Sequence, residues 1–64
     1  MQIELFDKVQ LVNGKLAHIV EIYENGLAYE ADIAEIDGEY TTDTIKHRDI
    51  LQVFKKETER QMAI

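Results

Sequence analysis

NGKLAHIVEIYENGLAYEADIAEIDG, residues 13–38, decides how this chain folds. Three turn dipeptides, Asn13-Gly14, Asn25-Gly26 and Asp37-Gly38, recur every twelve residues within it and use all three glycines of the chain. Such pairs let the backbone enter positive φ where a tight hairpin needs it. The stretches between them are apolar and rich in β-formers, so the segment reads as a meander of short antiparallel strands. The spacing marks hairpins and not a solenoid, because the three units are too short and too dissimilar to stack.

Within this segment, residues 16–23 (LAHIVEIY) form the most apolar strand and place apolar side chains on both faces, as a central strand of a tight barrel would. Residues 27–36 put Leu27, Tyr29, Ala31 and Ile33 on one face and Glu30 and Asp32 on the other. A helix is the rival reading there, since Ala, Glu and Ile are plentiful. The period of two and the flanking turn pairs decide for a strand. Upstream, residues 7–12 (DKVQLV) alternate, with Val9 and Leu11 opposite Lys8 and Gln10. Downstream, residues 40–45 (YTTDTI) favour a strand. Residues 46–49 read as one turn of 3₁₀ helix, and 50–54 as a last short strand. Residues 55–64 hold helix formers but are too few for a helix stable alone in water, so the tail is expected to be partly helical or frayed.

Length and composition bound the rest. A chain of 64 residues has room for one small core, and domains of this size bury only about 60% of their unfolded surface. Without cysteine, disulfides and thiolate metal sites are excluded. A secreted domain this small usually carries disulfides, which favours a cytoplasmic setting. The first residues lack the basic and apolar regions of a signal peptide, and the apolar runs fall far short of a membrane span, so no membrane partner is expected.

The net charge of −6 is uneven. No Lys or Arg occurs between residues 16 and 45, where Glu21, Glu24, Glu30, Asp32, Glu35, Asp37, Glu39 and Asp43 all fall. Lys46, Arg48, Lys55, Lys56 and Arg60 collect after it. Nucleic-acid binding through the acidic sheet is disfavoured, because phosphate contacts need positive charge. An acidic face of this kind is first of all a solvated surface, since small domains commonly carry a net charge of about 2–8. It could also face a basic partner or mimic a phosphate backbone.

Five strands with a 3₁₀ turn before the last is the order of an SH3-like barrel. The chain resembles the small bacterial SH3-like domains grouped as DUF4926, and more loosely KOW-type modules. The resemblance rests on Asp7, Val9 and Leu11 of a D-x-V-x-L strand, and on Ile19, Val20, Glu21 and Ile22 of an I-V-E-I strand. Ala28, Tyr29, Glu30, Ala31 and Asp32, and then Asp49-Ile50, complete it, so that it covers residues 6–54. It implies an all-β, small five-stranded SH3-like barrel over residues 1–54, followed by the tail, 55–64. Ala17-His18 stands where KOW-type patterns have Gly-x, which argues against RNA binding.

No constellation points to catalysis. His18 and His47 are two isolated histidines, whereas zinc wants three or four converging ligands; neither metal nor cofactor is expected. Glu30 and Asp32 share a strand face, with Asp43 expected to face them, but like charges on adjacent strands repel unless solvated. A barrel of this size is filled by its own side chains and offers no cleft. An enzyme is therefore not expected. Tyrosines at strand ends suit protein contact: Tyr29 and Phe54 are expected in the core, Phe6 at one barrel end, and Tyr23 or Tyr40 on the surface. The expected partner-binding residues are Tyr23, Glu30, Asp32, Tyr40, Arg48 and Lys55. Together these features describe a non-enzymatic interaction or regulatory module with a protein partner, of an antitoxin, immunity or mobile-element accessory kind. The alternatives are a KOW-like nucleic-acid module using the basic patch from Lys46 to Arg60, and an acidic nucleic-acid mimic. Homo-oligomerisation would be a further source of stability for so small a core.

Overall fold

A computed structural model describes residues 2–55; apart from Lys55, the expected tail lies outside the described residues. The fold is all-β. Strands β1 (Lys8–Leu11), β2 (Leu16–Tyr23), β3 (Ala28–Ala34), β4 (Tyr40–Lys46) and β5 (Ile50–Phe54) form one antiparallel sheet in the order β4-β3-β2-β1-β5. Two 3₁₀ turns, Glu24–Gly26 and His47–Asp49, lie between strands, the second where residues 46–49 call for one. Among the described residues no helix is long and apolar enough to cross a membrane. The sheet is open: β4 and β5 end the order and share no ladder among the described residues.

The core follows the pleat. Val9, Leu11, Ala17, Ile19, Tyr29, Ala31, Ile33, Ile45 and Ile50 are buried on one side, joined by Ile3. Two bulges keep that side apolar. Val20 is an extra residue in β2, where the register with β3 slips between Ile19 and Glu21. Leu51 is the extra residue in β5, since Gln10 faces Gln52 while Leu11 faces Ile50. Each bulge shifts the alternation by one residue. Ile19 and Ile22 therefore both meet the core, as do Ile50 and Val53. The apolar run of β2 is mainly one inward face with a change of phase, and not a strand buried on both sides.

The N-terminal segment corrects one expectation. Phe6 plugs nothing: it is 62% exposed at φ 70°, and Ile3 takes the buried place. The cause is Asp7, which shares the parity of Val9 and Leu11, points inward and is 1% exposed. A buried carboxylate must be paired or hydrogen-bonded. Asp7 Oδ2 accepts from Glu4 N–H and from Lys55 Nζ, each at 2.8 Å, and Asp7 N–H donates to Glu4 O at 3.1 Å. Phe6 N–H donates to Ile19 O at 2.7 Å and Ile19 N–H to Asp7 O at 3.0 Å. The turn is thereby fixed to β2 with the Phe6 ring outside. Phe54 is not core either: it is partly exposed on the outer face, with the Lys8 ammonium 6.0 Å from its ring centre. Leu27 precedes β3 and is exposed.

Two of the three dipeptides build the same turn. Leu11 N–H donates to Lys15 O (2.8 Å), Gly14 N–H to Leu11 O (2.8 Å) and Lys15 N–H to the Asn13 side chain (2.9 Å). Glu35 N–H to Glu39 O (2.8 Å), Gly38 N–H to Glu35 O (3.0 Å) and Glu39 N–H to the Asp37 side chain (3.0 Å) repeat the pattern. In each, only the glycine has positive φ, 93° and 89°, the signature of a three-residue hairpin loop ending in a left-handed glycine. The middle turn is different: Glu24, Asn25 and Gly26 all have positive φ, at 51°, 58° and 92°.

Candidate functional site

The side of the sheet away from the core is a continuous solvent-facing surface, and the strand register sets its rows. Phe54, Lys8, His18, Asp32 and Thr42 lie in one row across all five strands. Positive charge stands at the β1–β5 side and negative charge at the β3–β4 side. Glu21, Glu30 and Thr44 form the neighbouring row, and Tyr23, Ala28 and Lys46 the one beyond.

Hydroxyl groups hold the carboxylates of this face. Thr44 Oγ1 donates to Glu30 Oε1 at 2.9 Å and Thr42 Oγ1 to Asp32 Oδ1 at 2.7 Å. Tyr23 leans in from β2, its hydroxyl 3.5 Å from Glu30 Oε1. Partial desolvation pushes the Tyr23 phenol upward, and the Glu30 and Glu21 carboxylates add to the shift. Glu21 and Glu30 face each other directly, a repulsive pairing that the two hydroxyls on Glu30 relieve on one side. β4 thus explains its own composition: only Ile45 is buried, while Thr42 and Thr44 order the acids of β3.

Each end of the sheet carries a concavity, where sequence reasoning expected none. At the twin-turn end, a groove of about 490 Å³ runs between the loops, lined by Asn13, Lys15, Leu16, Ala34, Glu35 and Ile36. Lys15 Nζ bridges the two turns to Glu35 Oε1 at 2.6 Å, and Thr41 Oγ1 donates to Glu35 Oε2 at 2.6 Å. These bonds, Lys15 first, hold the Glu35 carboxyl below its usual range.

At the opposite end, a cleft of about 430 Å³ is lined by Gln2, Ile3, Ile22, Asn25, Tyr29 and His47, with Gly26 at its edge. Tyr29 Oη lies 2.9 Å from Gly26 O and 2.7 Å from His47 Nδ1. The carbonyl can only accept, so the single phenol proton goes to Gly26, and His47 Nδ1 carries a proton that it donates to the phenol oxygen. Burial pushes the Tyr29 phenol upward. His47 N–H also donates to Leu27 O at 2.9 Å, which ties the second 3₁₀ turn to the first.

The expected binding residues divide accordingly. Tyr23, Glu30 and Asp32 come together on the outer face, and Tyr40, opposite Ala34, shares it. Arg48 is exposed in the second 3₁₀ turn, outside the strand rows of that face. Lys55 is committed elsewhere: its pairing with the buried Asp7 carboxylate raises its pKa. Asp43 does not face Glu30 and Asp32. It pairs with Ala31, on the other face of β4, and its carboxylate accepts the Thr44 N–H at 2.8 Å. The eight carboxylates of residues 16–45 are thus not one array, since several sit in turns. His18 is exposed, not partly buried, and His47 is half-buried and bonded, not a solvated turn residue. Among the described residues no group of three or more His, Asp or Glu side chains could hold a metal.

Sequence reasoning missed three features. Asp7 was legible, because its parity with Val9 and Leu11 predicts an inward carboxylate. The Tyr29–His47 bond joins residues far apart in the chain and left no local signal. The groove needed both outer turns to be placed side by side. In comparisons with known proteins, no family model, no curated protein and no solved structure matches this chain.

Proposed function

We propose that this chain is a non-enzymatic protein-interaction module built on the SH3-like barrel plan, and that it binds through the outer face of β2, β3 and β4. The observation that carries this reading is the pre-ordering of that face: Glu30 and Asp32 are already held by Thr44 and Thr42, and Tyr23 and Tyr40 frame them. Side chains ordered before contact lose less entropy on binding, and exposed tyrosines supply apolar area with a polar tip.

The strand order supports the barrel plan, since β1 stands between β2 and β5 and a 3₁₀ turn precedes β5. The bulges at Val20 and Leu51 supply the local bending that such a barrel uses. Commitment of Lys55 to Asp7 weakens the basic patch that a nucleic-acid module would use.

Affinity capture from the native cell, comparing the natural chain with a Glu30→Lys/Asp32→Lys double variant, tests the reading. A reproducible protein partner that disappears with the charge reversal is the expected result. Recovery of the same partners by both proteins sinks it.

A further inference from the structure

We infer that the groove between the twin turns is the apolar anchor point of this binding face and takes a basic protein segment that carries one large apolar side chain. The inference rests on reading the sheet as a binding surface, and it adds where that surface grips and what chemistry it grips.

Ile36 is fully exposed at 104% of its reference area, at the same turn position that Val12 holds in the twin loop. A β-branched apolar side chain held in open solvent by a tight turn contributes nothing to the core. Leu16 and Ala34 line the groove beside it. Tyr40, exposed and opposite Ala34, extends the patch onto the outer face. The Lys15–Glu35 bridge and the bond from Thr41 fix the floor between the two loops. A compact apolar patch inside a polar rim is the arrangement of an interface centre.

Charge decides the occupant. Glu35, Asp37 and Glu39 belong to the turn beside the groove, and among the described residues the base lining it is Lys15, already paired with Glu35. Residues 16–45 add five further carboxylates and no Lys or Arg. A second copy docked groove to groove would set the carboxylates of these turns against each other, and like-charge juxtaposition opposes association. A Lys- or Arg-rich segment meets the rim favourably and can lower one apolar side chain between Leu16 and Ile36.

The test is a titration of the ¹⁵N-labelled full chain, followed by amide chemical shifts, with three synthetic peptides. One is Lys/Arg-rich with a single tryptophan, the second has that tryptophan replaced by alanine, and the third has the bases replaced by glutamate. The first peptide should shift the Leu16, Ala34 and Ile36 amides and weaken with salt, and the other two should not. Ile36→Asp should reduce binding roughly tenfold or more with an unchanged melting temperature, because Ile36 supports no packing. Shifts confined to Tyr23 and Glu30 would overturn the groove while leaving the binding face standing. No shift anywhere at low salt would remove both. Concentration-dependent sedimentation that involves the groove amides would make a second copy the occupant and overturn the basic segment.

Discussion

The two ends of this sheet begin from nearly the same dipeptide and finish differently. At one end, Asn13-Gly14 and Asp37-Gly38 close loops with matching hydrogen bonds and a single left-handed residue each. At the other, Asn25-Gly26 belongs to three consecutive residues at positive φ. The first two loops close on hydrogen bonds of their own, and the first is also tied through Val12 N–H to Asp49 O at 2.9 Å. The third is held from outside, because Tyr29 takes the Gly26 carbonyl and His47 N–H takes the Leu27 carbonyl. A turn sequence sets the conformations available, and tertiary bonds choose among them. The twin-turn end presents Ile36 and Tyr40 to solvent, while the other end uses the Tyr29 and His47 polar groups internally.

If that contrast holds, the largest effect comes from Tyr29→Phe. It leaves the Gly26 carbonyl and His47 Nδ1 without their partner, at a cost of about 1–3 kcal/mol, measured by urea unfolding. Amide exchange should also quicken at residues 24–27 and stay unchanged at residues 13–14 and 36–38. Uniform quickening at both ends would break the comparison.

Gly38→Ala should cost on the order of 1 kcal/mol, because φ 89° is unfavourable for any side chain although the space beside it is open. Gly14→Ala should match it, since the loops are alike and the space is again open. Clearly unequal losses would show that the loops are not energetic twins. Glu24→Gly should act in the opposite sense and stabilise by up to about 1 kcal/mol, because it relieves a non-glycine residue at φ 51°. A loss of thermal stability in that variant would mean that the Glu24 side chain matters more than its backbone.

The smallest effect is one of pH. The Glu35 carboxyl is held below its ordinary value of 4.5, first by Lys15 and then by Thr41. A depressed carboxyl contributes stability above its unfolded pKa and loses it as pH falls through the folded value. The contribution should therefore be complete at neutral pH and fade below about pH 4.5. Lys15→Met should flatten that part of the melting-temperature profile. An unaltered acid limb in the variant would remove the bridge as a link between the twin turns.

Much of the strand layout was legible because its causes are local. β2 and β5 run over residues 16–23 and 50–54, and the 3₁₀ turn falls at His47–Asp49, where the sequence calls for them. Strand β3 is shorter than residues 27–36, because Leu27 and Glu35 belong to the loops on either side. Of the candidate site, Glu30, Asp32 and Tyr40 share a face as the period of two requires, and Tyr23 joins them because the bulge at Val20 turns it off the face of Ala17 and Ile19. Asp43 fails that test by its odd parity, and Lys55 fails because its partner is forty-eight positions away.

An all-β chain, the order along it and approximate limits of its strands, and the inward parity of Tyr29, Ala31 and Ile33 all follow from local sequence. Alternation and turn chemistry act over a few residues, and they are written in those residues. The bulges at Val20 and Leu51, the exchange of Ile3 for Phe6, the burial of Asp7 against Lys55 and the bond between Tyr29 and His47 come from tertiary packing. Each depends on which distant strand lies alongside, and that choice is made by packing the whole core at once.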